Sequence, residues 1–233
     1  MKIFGKGFNF SQDGPGNRLV YHLSGCNMTC LWCSNPDGMS TSAGKEISVE
    51  NIVEECISCK PMFFSGGGVT FTGGEATLQA DDLILVLSAL KKNGIHTAIE
   101  TNGTSPRLPE IAELTDYLIM DFKHYDSDIL KTYTGLGNKK IKENFEHFCK
   151  TGRQLHIRIP IINGVNVNKP EKFAEYFSSF DTKNVVFEFL PYHEYGKEKW
   201  QSEYKIKNGF VSPADIKKID LVFKEYGLKT VIT

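Results

Sequence analysis

Apolar and polar positions along the chain alternate between two periods. Residues 18–24, 69–72, 95–100, 117–122, 155–162, 185–190 and 228–232 have the length and apolar, β-rich character of strands. Residues 48–59, 78–92, 106–114, 142–150, 170–179 and 213–226 carry helical spacing. The clearest helix is 78–92. Asp81 and Asp82 stand in its first turns, Lys91 and Lys92 at its end and Gly94 just beyond. That order complements the helix dipole and the preference for a glycine C-cap. Ser48 with Asn51 suits the start of the first helix, and Pro170 that of the fifth. Strand and helix alternate over the whole length, which predicts a parallel α/β fold. Six strand–helix units are fewer than the eight of a closed barrel, and periodicity alone does not separate a barrel from a doubly wound sheet.

No repeat, low-complexity tract or long Gly/Ser/Pro linker interrupts the pattern, so a single domain over residues 1–233 is expected. Charge narrows the function classes. Lys and Arg number 27 and Asp and Glu 28, a formal net charge of -1. This excludes a strongly basic nucleic-acid binder and offers no polybasic handle for a membrane surface. The apolar run Leu83-Ile84-Leu85-Val86-Leu87 is far shorter than the ~20 residues a membrane helix needs. The first residues hold no apolar leader segment, and a cytoplasmic location is expected. In that setting six cysteines point to metal or catalysis before disulfides.

Three of the six fall within eight residues, in Cys26-Asn27-Met28-Thr29-Cys30-Leu31-Trp32-Cys33. One tight loop can aim three thiolates at one point. A structural zinc site wants four ligands, and a cubane iron–sulfur cluster usually takes four cysteines. Three on a cubane leave one iron open to substrate or cofactor. A second signal is Thr72-Gly73-Gly74-Glu75 after a short strand: the glycines permit close backbone approach, and Glu75 adds an acceptor. Further polar residues recur at strand ends. Glu100 and Thr101 close the third strand, Asp121 and Lys123 the fourth, Arg158 lies in the fifth, and His193 follows the sixth. One ring of residues around one pocket is the economical reading, because parallel barrels place their active sites at that face.

With its aromatic residue before the last cysteine, the Cys-x3-Cys-x2-Cys motif resembles that of the radical S-adenosylmethionine (SAM) superfamily. The wider context is similar to the glycyl-radical-enzyme activating enzymes, above all their pyruvate formate-lyase branch. The matching stretches are Asp13-Gly14-Pro15-Gly16-Asn17-Arg18, residues 66–76, Gly94-Ile95-His96-Thr97, Thr101-Asn102-Gly103 and residues 190–200. They run in order from about residue 8 to the C-terminus. The resemblance implies a partial (β/α)6 barrel and a [4Fe–4S] cluster on Cys26, Cys30 and Cys33. It implies that SAM binds the open iron and is cleaved to a 5′-deoxyadenosyl radical, which takes hydrogen from a glycine of a partner glycyl radical enzyme. Gly73, Gly74 and Glu75 match the motif that meets the SAM amino group. Lys123 and Arg158 match basic residues near the SAM carboxylate, and Leu190 and His193 the adenosine side. Glu100, Thr101 and Asp121 align with a monovalent-cation site, with the Ile119 carbonyl as a further ligand. Asp13 lies in the segment that faces the partner's glycine loop, and Trp32 would shield the cluster.

The chain departs from that branch at Glu100, where Asp is usual, and at Ser34-Asn35-Pro36, where His-Asn often follows the third cysteine. It lacks the ferredoxin-like insert of many other activating enzymes; Cys56 and Cys59 cannot supply the eight ligands of two extra clusters. The expected partners are pyruvate formate-lyase and a flavodoxin- or ferredoxin-type electron donor, with the chain a monomer. The alternatives are another glycyl radical enzyme or an anaerobic ribonucleotide reductase, a radical SAM enzyme acting on a small molecule, and a zinc-binding structural protein or simple electron carrier.

Overall fold

The computed structural model describes residues 1–10 and 12–231, in which the chain forms two compact units. The first comprises residues 1–27, 35–101 and 105–119. Strands β1 (Lys2–Phe10) and β2 (Asn17–Leu23) make an antiparallel hairpin, and the short β3 (Lys45–Glu46) pairs antiparallel with β1. After helix α1 (Val49–Ser58), β4 (Gly68–Gly73) runs parallel to β2. After α2 (Ala80–Lys92), β5 (Thr97–Thr101) runs parallel to β4. Helix α3 (Leu108–Glu113) follows, and β6 (Tyr117–Asp121) carries the chain into the second unit.

The period-two alternation of the strands sorts their faces. Leu19, Tyr21, Leu23, Val69, Phe71 and Ile99 are buried, as are Ile52, Leu83, Val86 and Leu87 of the helices. Tyr21 stacks on Phe71 at 5.5 Å and donates its hydroxyl to Glu55 on α1 at 2.6 Å. The alternate positions of the same strands, Arg18, Thr70, Thr72 and Glu100, carry polar side chains, and three of the four are buried. Their partners belong to the site described below.

The second unit comprises residues 28–34, 102–104 and 120–233. Helices α4 (Ser127–Thr134) and α5 (Lys139–Thr151) precede β7 (Leu155–Ile161); α6 (Pro170–Ser178) precedes β8 (Val185–Pro191); α7 (Pro213–Glu225) precedes β9 (Thr230–Val231). The three strands are parallel. Aromatic rings fill the space between them and the helices. Phe177 meets Phe187 at 4.6 Å and Phe122 at 4.7 Å, and Phe223 meets Phe189 at 4.8 Å. Such edge-on and tilted pairs add to the burial of their large apolar surface.

The expected alternation of strand and helix is observed, with informative differences. Strand β1 was not expected: Gly5 and Gly7 break its apolar pattern, and most of its residues stay partly or fully exposed. Helix α4 was also missed, although Asp126 caps its first turn and Gly135 ends it at φ 83°. Helix α5 begins three residues before the expected 142, because Lys139 and Lys140 oppose the dipole and hide the start. The expected last strand reached Ile232, which lies outside the described residues. Among the described residues, no helix is long and apolar enough to cross a membrane.

Candidate cofactor site

In the first unit, the Gly73-Gly74-Glu75 turn is laced to the arm that leads into the cysteine loop. Gly74 N–H donates to the Leu23 carbonyl at 2.8 Å, and Glu75 N–H to that of Gly25 at 2.7 Å. Gly25 and Cys26 in turn donate to the carbonyls of Gly38 and Met39. Glycine is required twice. A Cβ on Gly73, which sits at φ 117°, would stand 2.4 Å from the Leu23 nitrogen. One on Gly74 would stand 2.2 Å from the Gly25 oxygen and 2.5 Å from that of Gly38. These partners are backbone and cannot swing aside, so the close approach of three chain segments explains both glycines.

Glu75 is buried, at 1 % exposure. Its Oε1 accepts from the Thr77 amide at 3.0 Å, from the Thr77 hydroxyl and from the Thr101 hydroxyl at 2.7 Å. The carboxylate thus caps the 3-10 turn Ala76–Gln79 and ties β4 to β5. The Thr72 hydroxyl, three residues before Glu75, donates to Glu100, one residue before Thr101, at 2.8 Å. The Asp13 turn rests on the same unit. Its carbonyl accepts from Thr70 Oγ1 at 2.7 Å, and its carboxylate from Asn9 Nδ2. Fully buried Arg18 donates to the Pro15 carbonyl at 2.9 Å, the Val69 carbonyl at 2.7 Å and Thr70 at 2.6 Å. Burial lowers its pKa from 12.5 to about 10, so it stays charged at neutral pH. Gly16 meets the Gly66-Gly67-Gly68 run, and a Cβ on it would stand 2.6 Å from the Gly67 nitrogen.

In the second unit, the Cys30–Ser34 stretch is pinned along its backbone. Leu31 N–H donates to Tyr133 at 3.0 Å, Cys33 N–H to Cys30 at 3.1 Å, and the Trp200 indole to the Cys33 carbonyl at 3.1 Å. Trp32 is half-buried against the cluster of Ile162, Tyr192 and Ile206. Lys123 is buried and ion-paired with Asp121. Arg158 pairs with Glu188 at 2.7 Å directly across the β7–β8 register, and His156 Nε2 stands 3.0 Å from the same oxygen. Leu190 is half-buried one residue before the end of β8, and His193 stacks on Tyr195 at 4.2 Å. Desolvation lowers the His193 pKa, which favours the neutral ring.

Of the residues singled out in the sequence, the structure therefore joins Glu75 with Thr101 through hydrogen bonding, and Asp121 with Lys123 as a salt bridge. The sequence reading missed Glu188 and Thr77, and it included Thr72 and Trp200 in its motifs without giving either a role. A signal existed for Glu188, the one charge in the apolar run 185–190. None of the six cysteines is in a disulfide. Among the described residues, no three His, Cys, Asp or Glu side chains are grouped as metal ligands are. The chemistry of the donor set suits an iron–sulfur cluster: three reduced thiols, Cys30 buried and Cys26 and Cys33 half-buried, on a stretch whose backbone is hydrogen-bonded on both arms.

The description "Radical SAM superfamily" fits residues 20–177. The chain belongs to that superfamily, and its parallel-stranded α/β fold is of the radical SAM type. It is 33% identical over 246 aligned residues to the pyruvate formate-lyase 1-activating enzyme of Escherichia coli (strain K12), covering 99% of this chain and 100% of the relative. It is 36% identical to the pyruvate formate-lyase-activating enzyme of Clostridium pasteurianum, covering 84% and 85%. Among solved structures, a domain of the corresponding enzyme from Bacteroides vulgatus is 29% identical with a TM-score of 0.61, covering 72% of this chain and 99% of that one. Streptococcus suis SuiB bound to S-adenosylmethionine, 16% identical, shares the fold with a TM-score of 0.71 over 92% of this chain and 49% of its own. The relatives are radical SAM oxidoreductases, and the family implies a [4Fe–4S] cluster and SAM.

Proposed function

We propose that the chain is a single radical SAM domain that installs a glycyl radical on pyruvate formate-lyase. The observation that carries this reading is the lacing of the Gly73-Gly74-Glu75 turn to the arm that enters the three-cysteine loop. The full-length likeness to pyruvate formate-lyase-activating enzymes supports the choice of partner. When bound, the cluster and SAM would supply reductive cleavage of the SAM sulfur–C5′ bond by one electron, and with it the means of taking a hydrogen atom from the partner's glycine.

The chain's own residues hold and shield. Cys26, Cys30 and Cys33 would ligate three irons and leave the fourth for SAM. Gly73 and Gly74 keep side chains away from the SAM amino group, and Glu75 presents its negative charge there. Lys123 and Arg158 serve the SAM carboxylate and its surroundings. Leu190 covers the adenosine, with neutral His193 beside it as a hydrogen-bonding partner. Trp32 excludes water from the Cys30–Cys33 arm. Asp13 faces the partner's glycine loop, and Glu100, Thr101 and Asp121, with the Ile119 carbonyl, take a monovalent cation. The enzyme is read as a cytoplasmic monomer reduced by a flavodoxin- or ferredoxin-type donor.

Anaerobic electron paramagnetic resonance tests the reading. Reconstituted protein, SAM, a reductant and pyruvate formate-lyase from the same source should give an organic radical that grows as the cluster signal falls. A SAM-perturbed cluster without a protein radical rejects this partner in favour of another glycyl radical enzyme or a small molecule. Zinc without iron or sulfide rejects the class.

A further inference from the structure

The stretch from Tyr192 to Gly209 lies outside the cysteine motif, yet its second half-turn closes on the motif's end. The Trp200 indole N–H donates to the Cys33 carbonyl at 3.1 Å, and Lys199 Nζ reaches the Ser34 carbonyl at 3.4 Å. Gly196 approaches so closely that a Cβ there would stand 2.5 Å from both Cα and the carbonyl oxygen of Ser34 and 2.7 Å from the Cys33 oxygen. Its φ of -94° suits any residue, so space, not backbone conformation, demands glycine. The strap is itself fixed. Trp200 packs edge-on against Tyr204 at 5.7 Å, and Tyr204 shares a hydroxyl hydrogen bond with Tyr192 at 3.0 Å. Tyr192 and Ile206 are buried in the cluster against which Leu31 and Trp32 pack.

We infer that Trp200 is a positioning residue for Cys33, acting through the backbone of that cysteine. Both peptide groups of Cys33 are then engaged, its N–H by the Cys30 carbonyl and its C=O by Trp200. Only χ1 is left to aim the thiol, and one staggered well suffices. The strap therefore presets the direction of one thiolate before any cluster is built, which removes an ordering cost from assembly. The strap also shields the Cys33 carbonyl from water, so loss of the indole donor admits solvent beside this sulfur and no other.

This inference rests on the proposed reading for the part played by Cys33, and its test separates the two. The variants are Trp200→Phe, Gly196→Ala and a full-length protein with benzothienylalanine at 200, which keeps the ring shape and replaces the N–H by sulfur. In the metal-free, reduced protein, the alkylation rates of Cys30 and Cys33 by iodoacetamide are followed by peptide mass spectrometry. The Cys33 rate should rise roughly three- to tenfold in all three, the scale of one lost hydrogen bond in an opening equilibrium, while Cys30 changes less than about twofold. In reconstituted protein, the line shape and midpoint potential of the reduced cluster should shift in the benzothienylalanine protein at unchanged iron content. An unchanged Cys33 rate in that protein overturns the inference. So does a parallel rise of Cys30 and Cys33 with a lowered Tm, which is general loosening. Failure of the wild-type protein to take up iron and sulfide overturns the functional reading instead, and leaves the alkylation result to decide the role of Trp200.

Discussion

The carboxylates of the two units are held in different ways. In the first, Glu75 and Glu100 accept from threonine hydroxyls, Thr77 and Thr101 on one and Thr72 on the other. In the second, Glu188 and Asp121 are met by cations, Arg158 and Lys123. A hydroxyl orients a carboxylate without cancelling its charge; a guanidinium or ammonium does both. At the β4–β5 end the hydroxyls set the direction of the two carboxylates, and buried Arg18 lies within electrostatic reach of Glu100. The β7–β8 strands hold their charge balance within the protein, where it fixes geometry. The same acidic side chain is oriented by hydroxyls in one unit and ion-paired in the other.

The largest expected effect falls on the three-cysteine motif. Alanine at any of Cys26, Cys30 and Cys33 should abolish iron uptake and 5′-deoxyadenosine formation alike. Cys56→Ala and Cys59→Ala should leave both intact. A protein that keeps its cluster without Cys26 would break the ligand assignment. Next, Glu188→Ala leaves Arg158 largely buried without its counter-charge and should cost about 3–5 kcal/mol in urea unfolding. Thr72→Val and Thr101→Val remove one hydroxyl donor each and should cost about 1–2 kcal/mol. Thr101→Val should in addition weaken SAM binding in calorimetry, because Glu75 loses its fixed orientation. If Glu188→Ala weakens SAM binding while leaving stability intact, the contrast is reversed.

Most of the fold was legible because helix charge order and strand alternation report local preference. Helix α2 announced itself with acids at one end and lysines at the other, whereas α5 concealed its start behind Lys139 and Lys140. The candidate site was legible as residues and not as pairs. Cys26, Glu75 and Arg158 stand out in the chain, but the register that sets Arg158 opposite Glu188 is tertiary. Trp200 closes the motif stretch 190–200, but the carbonyl it engages is 167 residues away, and no local pattern names that partner.

The smallest predicted effect concerns a thiol outside the motif. Cys56 is buried beside Tyr21, and desolvation raises its pKa from 9.0 to about 12. The folded state then holds this proton more tightly than the unfolded chain. Its contribution is fully present below pH 9 and is lost as pH rises from 9 towards 12. Between pH 9 and 10 the wild-type protein should lose less than about 1 kcal/mol more than Cys56→Ala, read from urea titrations at the two pH values.

Arg18 gives the Asp13 turn a place in time as well as in space. The turn takes a local bond from Arg18 to the Pro15 carbonyl and a bond from Thr70 to the Asp13 carbonyl across 57 residues, and Arg18 is itself held by Val69 and Thr70, 51 and 52 residues away. Those distant contacts form only after β4 has docked beside β2, and a parallel pairing of such separation is slow because its loop must close first. A chain that ends before β4 therefore lacks the Thr70 bond that holds the Asp13 carbonyl. The shape of this turn is thus a product of completed folding in the first unit and not of its own short sequence.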